Sequence, residues 1–228
     1  MALDHPSDDA RVAARYFSSF VEDYHRAFDG TGRDPLHRLI NRAFRRKTFE
    51  KRTAVVVDLL RRHGVEGKRV LDLGCGSGEV SLAAARMGAH VTGIDIVDGM
   101  VQLARKQAQA AGFADRVRFE AGDILQTELP ESDVTMVVAV VEYYADPSVV
   151  IRKAAARTQE LLIIVDTRGP LWRRLLRYAL ARLKRFRVHY HPPDLLSRIA
   201  ASEGFTEYAR VPGHSYTVLA FGRAGKHA

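Results

Sequence analysis

The run Gly74-Cys75-Gly76-Ser77-Gly78 follows directly on the apolar segment Val70-Leu71-Asp72-Leu73, and this junction constrains the chain more than any other feature. A short apolar segment closed by glycines reads as a buried strand entering a tight turn. Alternate glycines also let the backbone approach a ligand without interference from Cβ atoms. In an open parallel sheet such a turn lies beyond the carboxyl end of a strand, where ligands bind.

The flanking pattern agrees with a parallel sheet. Residues 79–87 are rich in alanine and stop at Gly88, as a helix does. Residues 90–94 predict a second strand closed by Asp95, 98–111 a helix, and 117–120 a third strand. Residues 134–141 predict a fourth strand covered on both faces, because their apolar content is continuous. A helix over 147–158 and a fifth strand over 161–165 follow, and 208–211 with 217–221 predict a closing pair. Strands alternating with helices imply right-handed βαβ units. The expected fold is α/β: a Rossmann-like open parallel sheet with helices on both faces and a C-terminal antiparallel strand. At 228 residues one domain suffices. Residues 1–65 are expected to form an N-terminal helical cap within it, and 66–228 the core, with a basic insert at 168–190.

Two further elements match the glycine turn in order. Asp95 ends the second strand about twenty residues after Gly74, where a carboxylate reaches ribose hydroxyls. Gly122-Asp123-Ile124 follows the third strand, where a carboxylate meets an adenine amino group. A dinucleotide enzyme would need a glycine at Glu79 to complete G-x-G-x-x-G, and a carboxylate there opposes a pyrophosphate. Asp72, grouped with the cofactor loop, is read as orienting that loop through hydrogen bonds. Cys75, the lone cysteine, is read as a small residue packed in the turn. No spacing suggests a metal site.

The stretch from Val70 to Gly78, followed by Val91-Thr92-Gly93-Ile94-Asp95, resembles the first two motifs of class I S-adenosylmethionine-dependent methyltransferases. Within that superfamily the helical preface, the Glu142-Tyr143-Tyr144-Ala145-Asp146-Pro147 segment and the short tail are similar to small-molecule O-methyltransferases of the ubiquinone and magnesium-protoporphyrin type. The resemblance implies S-adenosyl-L-methionine as cofactor. It implies that Gly74, Cys75 and Gly76 line its methionine and ribose portions and that Asp95 pairs with the ribose. By the same resemblance Ile96 and Met100 flank the adenine, Asp123 and Ile124 bind its edge, and Val140 touches the methionine moiety by its backbone. Arg52 stands where related enzymes supply a cation for the cofactor carboxylate.

On the acceptor side, Glu142, Tyr143 and Tyr144 follow the fourth strand and are expected to face the transferring methyl. Family members often place a histidine there; here Glu-Tyr-Tyr takes its place, which counts against a histidine base from this turn. His189, His191 and His214 in the C-terminal part are the alternatives, His189 being grouped with the catalytic candidates.

Charge bears on partners. The net charge is +8, and 168–190 carries eight basic residues (Arg168, Arg173, Arg174, Arg177, Arg182, Lys184, Arg185, Arg187) and no acid. Leu171, Trp172, Leu175, Leu176, Ala179, Leu180, Leu183 and Phe186 recur at helical spacing within it. A lid helix and a peripheral membrane helix both fit this pattern, and the two are compatible if a lipophilic acceptor arrives from a membrane. Nucleic acid is disfavoured as a partner, because no N-P-P-[YF]-type tetrad follows the fourth strand. The N-terminus lacks the basic-then-apolar pattern of a signal peptide, so the expected compartment is the cytoplasm.

Overall fold

Hydrophobic runs with period two build the centre of the molecule. The computed structural model describes residues 46–167 and 187–225, with side chains from Phe49 onward, together with Val12, Ala14, Arg15, Ser18 and Val21. Five strands, β1 (Arg69–Leu73), β2 (His90–Asp95), β3 (Val117–Ala121), β4 (Ser132–Val138) and β5 (Thr158–Thr167), are parallel. β6 (Phe205–Pro212) and β7 (Tyr216–Arg223) form an antiparallel hairpin, and β7 lies antiparallel against β5. The order across the sheet is β3-β2-β1-β4-β5-β7-β6.

Helices cover both faces because alternate strand residues are apolar on each. One face carries Val70, Val91, Val134, Met136, Ile163 and Val218. It packs against α1 (Arg46–His63), α2 (Glu79–Arg86) and α3 (Asp98–Ala110) through Leu60, Leu82 and Val101. The other carries Leu71, Leu73, Ile94, Val137, Ile164 and Phe221 against α4 (Ser148–Ala155) and α5 (Pro193–Ser202). Burying one such side chain fully stabilises the fold by about 1.5–3 kcal/mol.

β5 begins at Thr158, inside the expected helix over 147–158, which ends at Ala155, and β4 is shorter than its apolar content predicts. The apolar run 134–141 does not continue as strand: β4 stops at Val138, Ala139 adopts φ 57°, and a 3₁₀ turn follows at Val141–Tyr143. Val140 and Val141 are apolar because that turn is itself buried. Of the expected helical cap, α1 is described. Its C-terminal residue His63 is bonded to Glu160, near the start of β5, at 3.0 Å. Residues 1–45 lie otherwise outside the described residues, but Val12 packs beside Tyr143 and Val188, and Val21 lies against Gly99. The amphipathic segment 171–186 also lies outside them; its flanks, Thr167 and Arg187, do not.

Candidate functional site

Chain direction brings the loops after β1, β2, β3 and β4 to one edge. The connection reverses between β1 and β4, which makes their carboxyl ends the switch point of the sheet. There the two loops touch: a Cβ on Gly74 would overlap Cγ2 of Val140. Only a glycine lets the backbone after β1 pass this close to the side chain of Val140.

Two bonds hold the glycine turn in place, as the amides of Gly74 and Cys75 both donate to the carbonyl of Ile94, at 2.7 and 3.1 Å. Gly76 then takes φ 53°, and nothing lies within 4 Å of the point where its Cβ would stand. Its face is therefore open, whereas Gly78 faces inward, its missing Cβ only 2.7 Å from Phe119 Cζ. Two glycines thus serve packing, and the middle one borders free space.

Asp95 ties the second strand to this turn. Its Oδ2 accepts the Gly76 amide at 2.8 Å and its Oδ1 accepts the Val97 amide at 2.9 Å. Burial pushes its carboxyl up from the ordinary range, and those two amides oppose the shift. Ile96 is half-buried and Met100 buried beside it, at the start of α3.

Asp72 sits beneath the turn, 2% exposed, and accepts a 2.6 Å bond from the Ser81 hydroxyl on α2. Burial raises its pKa from 3.8 to about 6, the Ser81 bond lowers it, and the charge of Asp95 raises it further. Asp72 therefore fastens α2 to β1 from below. Cys75 is buried, and burial first, then Asp72 and Asp95, pushes its thiol well up.

The third turn adjoins the second. The Gly122 amide donates to the Asp95 carbonyl at 2.9 Å, and the Thr127 hydroxyl occupies the place of a Gly122 Cβ. Asp123 Oδ1 accepts the Leu125 amide at 2.9 Å, and Ile124 is buried in the core. Lys153, on α4, donates from Nζ to the Leu125 carbonyl at 2.7 Å. Neither Ser81 nor Lys153 was legible as a site residue, since their partners are 9 and 28 positions away and on other elements.

Beyond β4, the 3₁₀ turn meets the segment that leads into α5. The His189 amide donates to the Glu142 carbonyl at 2.8 Å, and His191 Nε2 lies 3.0 Å from the Tyr144 carbonyl. The two imidazoles are nearly parallel, at 15° and 6.3 Å between centroids. Glu142 and Tyr144 are buried, and Tyr143 and His189 are half-buried. Of the Glu-Tyr-Tyr run expected to face the transferring methyl, Tyr143 is thus the most accessible. His214 is exposed in the β6–β7 turn. Arg52, on α1, lies 4.8 Å over the Phe49 ring. A groove of about 280 Å³ between Arg69, His90, Arg116 and Glu131 opens at the opposite, amino edge and shares nothing with this cluster.

Comparison with known proteins bears on this edge. Residues 65–188, more than half of the chain, match the model of a family described as "Methyltransferase domain". A ubiquinone biosynthesis O-methyltransferase of Pseudomonas aeruginosa (strain UCBPP-PA14) is 39% identical over 92 residues, 40% of this chain and 40% of that protein. The match therefore spans about two-fifths of the relative's length. Magnesium protoporphyrin IX methyltransferase from Synechocystis PCC 6803, solved with bound SAH, superposes with a TM-score of 0.78 at 22% identity, over 95% of this chain and 100% of that one. A 1,6-didemethyltoxoflavin-N1-methyltransferase from Burkholderia thailandensis gives 0.69 at 18% identity, over 98% and 92%. At such identities these two structures establish the shared fold.

Proposed function

The chain belongs to the methyltransferase-domain family, and we propose on that basis that it transfers a methyl group from S-adenosylmethionine to a small-molecule acceptor, at an oxygen atom. The observation that carries this reading is the open face of Gly76, whose amide is bonded to the acid at the end of β2. A nucleoside with a short chain fits that cradle: a carboxylate stands beside the free backbone surface, and a second turn with its own acid adjoins it. When bound, the cofactor supplies a methyl carbon activated by a sulfonium.

The residues of this chain take the following parts. Asp95 binds the ribose hydroxyls with its remaining acceptor capacity, and the turn Gly74–Gly76 lines the methionine portion. Ile96 and Met100 flank the adenine, Asp123 and Ile124 bind its edge, Val140 closes the methionine side, and Asp72 holds the turn from below. Arg52 meets the cofactor carboxylate, supported by its place just before the core, where related enzymes supply a cation. For a hydroxyl acceptor His189 takes the proton, supported by the backbone bond that seats it on Glu142 and by half-buried Tyr143 alongside. Alignment and exclusion of water supply most of the remaining effect.

From their sequence, residues 171–186 are assigned to peripheral contact with an anionic membrane on its cytoplasmic face. Arginines among regularly spaced leucines support that assignment, since basic segments are drawn to anionic lipid. No helix among the described residues is long and apolar enough to cross a membrane. Titration calorimetry with S-adenosylmethionine and S-adenosylhomocysteine tests the cofactor reading; binding of at least one is expected, and binding of neither overturns it.

A further inference from the structure

The turn after β3 is pinned from outside by a residue of a different layer. Lys153 belongs to α4, the helix that follows β4, and reaches the Leu125 carbonyl at 2.7 Å. The same Leu125 donates its amide to Asp123 Oδ1 at 2.9 Å, so one residue joins the lysine to the acid. The rest of the turn is equally determined: Gly122 hangs on the Asp95 carbonyl, and the Gln126 and Thr127 amides donate to the Asp123 carbonyl at 3.0 and 2.8 Å. These bonds are backbone or local. Lys153 is the long-range side chain among them, and Leu125 itself packs on the α4 side of the core.

We infer that Lys153 is a positioning residue for base recognition: by holding the Leu125 carbonyl it sets the angle at which Asp123 meets the amino group of the adenine. The inference rests on the cofactor reading above. Burial lowers the lysine's own pKa while the charge of Asp123 opposes that, which agrees with a half-buried ammonium close to this carboxylate. A hydrogen bond to a charged acceptor is strongly angle-dependent, so a turn free to rotate by a fraction of an ångström loses discrimination before it loses binding. Lys153 itself touches no part of the cofactor in this account.

The test compares two ligands, S-adenosylhomocysteine and S-inosylhomocysteine, which carries an oxygen where adenine has its amino group. The unsubstituted chain is expected to prefer the adenosyl compound by roughly 10- to 100-fold. Lys153→Met is expected to reduce that ratio at least about threefold, mainly through weaker adenosyl binding, and Lys153→Arg, which keeps a charge and a donor, to retain it. An unchanged ratio in Lys153→Met, or an equal loss for both ligands, overturns the assignment, as does Lys153→Arg behaving like Lys153→Met. Should Lys153→Met fail to fold in a thermal melt, Lys153→Gln, too short to reach Leu125, is read by the same criteria. Failure of the unsubstituted chain to bind either ligand sinks the cofactor reading instead, so the two failures are distinguishable.

Discussion

The carboxylate of Asp95 accepts the backbone amide of Gly76 at 2.8 Å, across nineteen positions of sequence. The acid at the end of β2 therefore sets the shape of the turn after β1 as well as facing the space above it. Asp95→Ala removes both contributions at once. Each bond to a charged acceptor contributes about 1.5–3 kcal/mol, so affinity for S-adenosylhomocysteine is expected to fall by roughly 100-fold or more. Calorimetry on a folded variant checks this, and an unchanged affinity would refute the ribose assignment.

Gly76→Ala separates backbone strain from ligand space. A left-handed φ of 53° is expected to cost an L residue about 1–2 kcal/mol in urea unfolding. Because the position is otherwise open, no repacking cost adds to that. Strain present in both the free and the bound chain cancels in binding, so the methyl projecting into the cofactor cradle is by itself expected to weaken binding at least about tenfold. An unchanged affinity in the folded but destabilised variant would place the methyl outside the cradle.

Asp72 makes stability depend on pH in an unusual sense. Its pKa is about 6 in the folded chain, chiefly through burial, against 3.8 ordinarily. Between those values the folded state holds a proton that the unfolded state releases, so raising the pH through this window destabilises the fold. In Asp72→Asn that contribution is gone. The variant's stability relative to the parent is expected to rise by roughly 2–2.5 kcal/mol between pH 4 and pH 8, the linkage value for such a shift over that window. Urea midpoints at several pH values measure it, and a flat difference overturns the assignment.

Cys75 is expected to be chemically quiet. Burial and two neighbouring acids hold the thiol protonated. Iodoacetamide at pH 7.5 should label it only after denaturant is added, and Cys75→Ala should keep cofactor affinity within about threefold, the difference of one small buried group. Rapid labelling of the folded chain, followed by mass spectrometry, would contradict this.

The basic segment makes a prediction about partners. Reversing Arg173, Arg174 and Arg177 to glutamate is expected to weaken binding to phosphatidylserine vesicles by roughly 100-fold, at about 1 kcal/mol for each cation removed. Binding of the parent should fall steeply with salt. Equal sedimentation of parent and variant with phosphatidylserine vesicles would argue against an anionic membrane surface, and retention of RNA or DNA by the parent would favour nucleic acid instead.

Local chemistry made much of this legible. Short continuous apolar runs, alanine-rich segments and glycine stops are short-range signals, so the sequence by itself determined the alternation of strands and helices, the glycine turn, and the order of Asp72, Asp95 and Asp123. Where β4 ends was not legible, because Val140 and Val141 stay apolar in a buried turn after Ala139 has already left the strand. Only the tertiary structure decided that Val140 lies against Gly74, that Ser81 holds Asp72, that Asp95 shapes the Gly76 turn, and that Lys153 grips Leu125. Each joins separate elements whose meeting depends on strand order and register, and side-chain bonds of that kind leave no periodic trace in the chain.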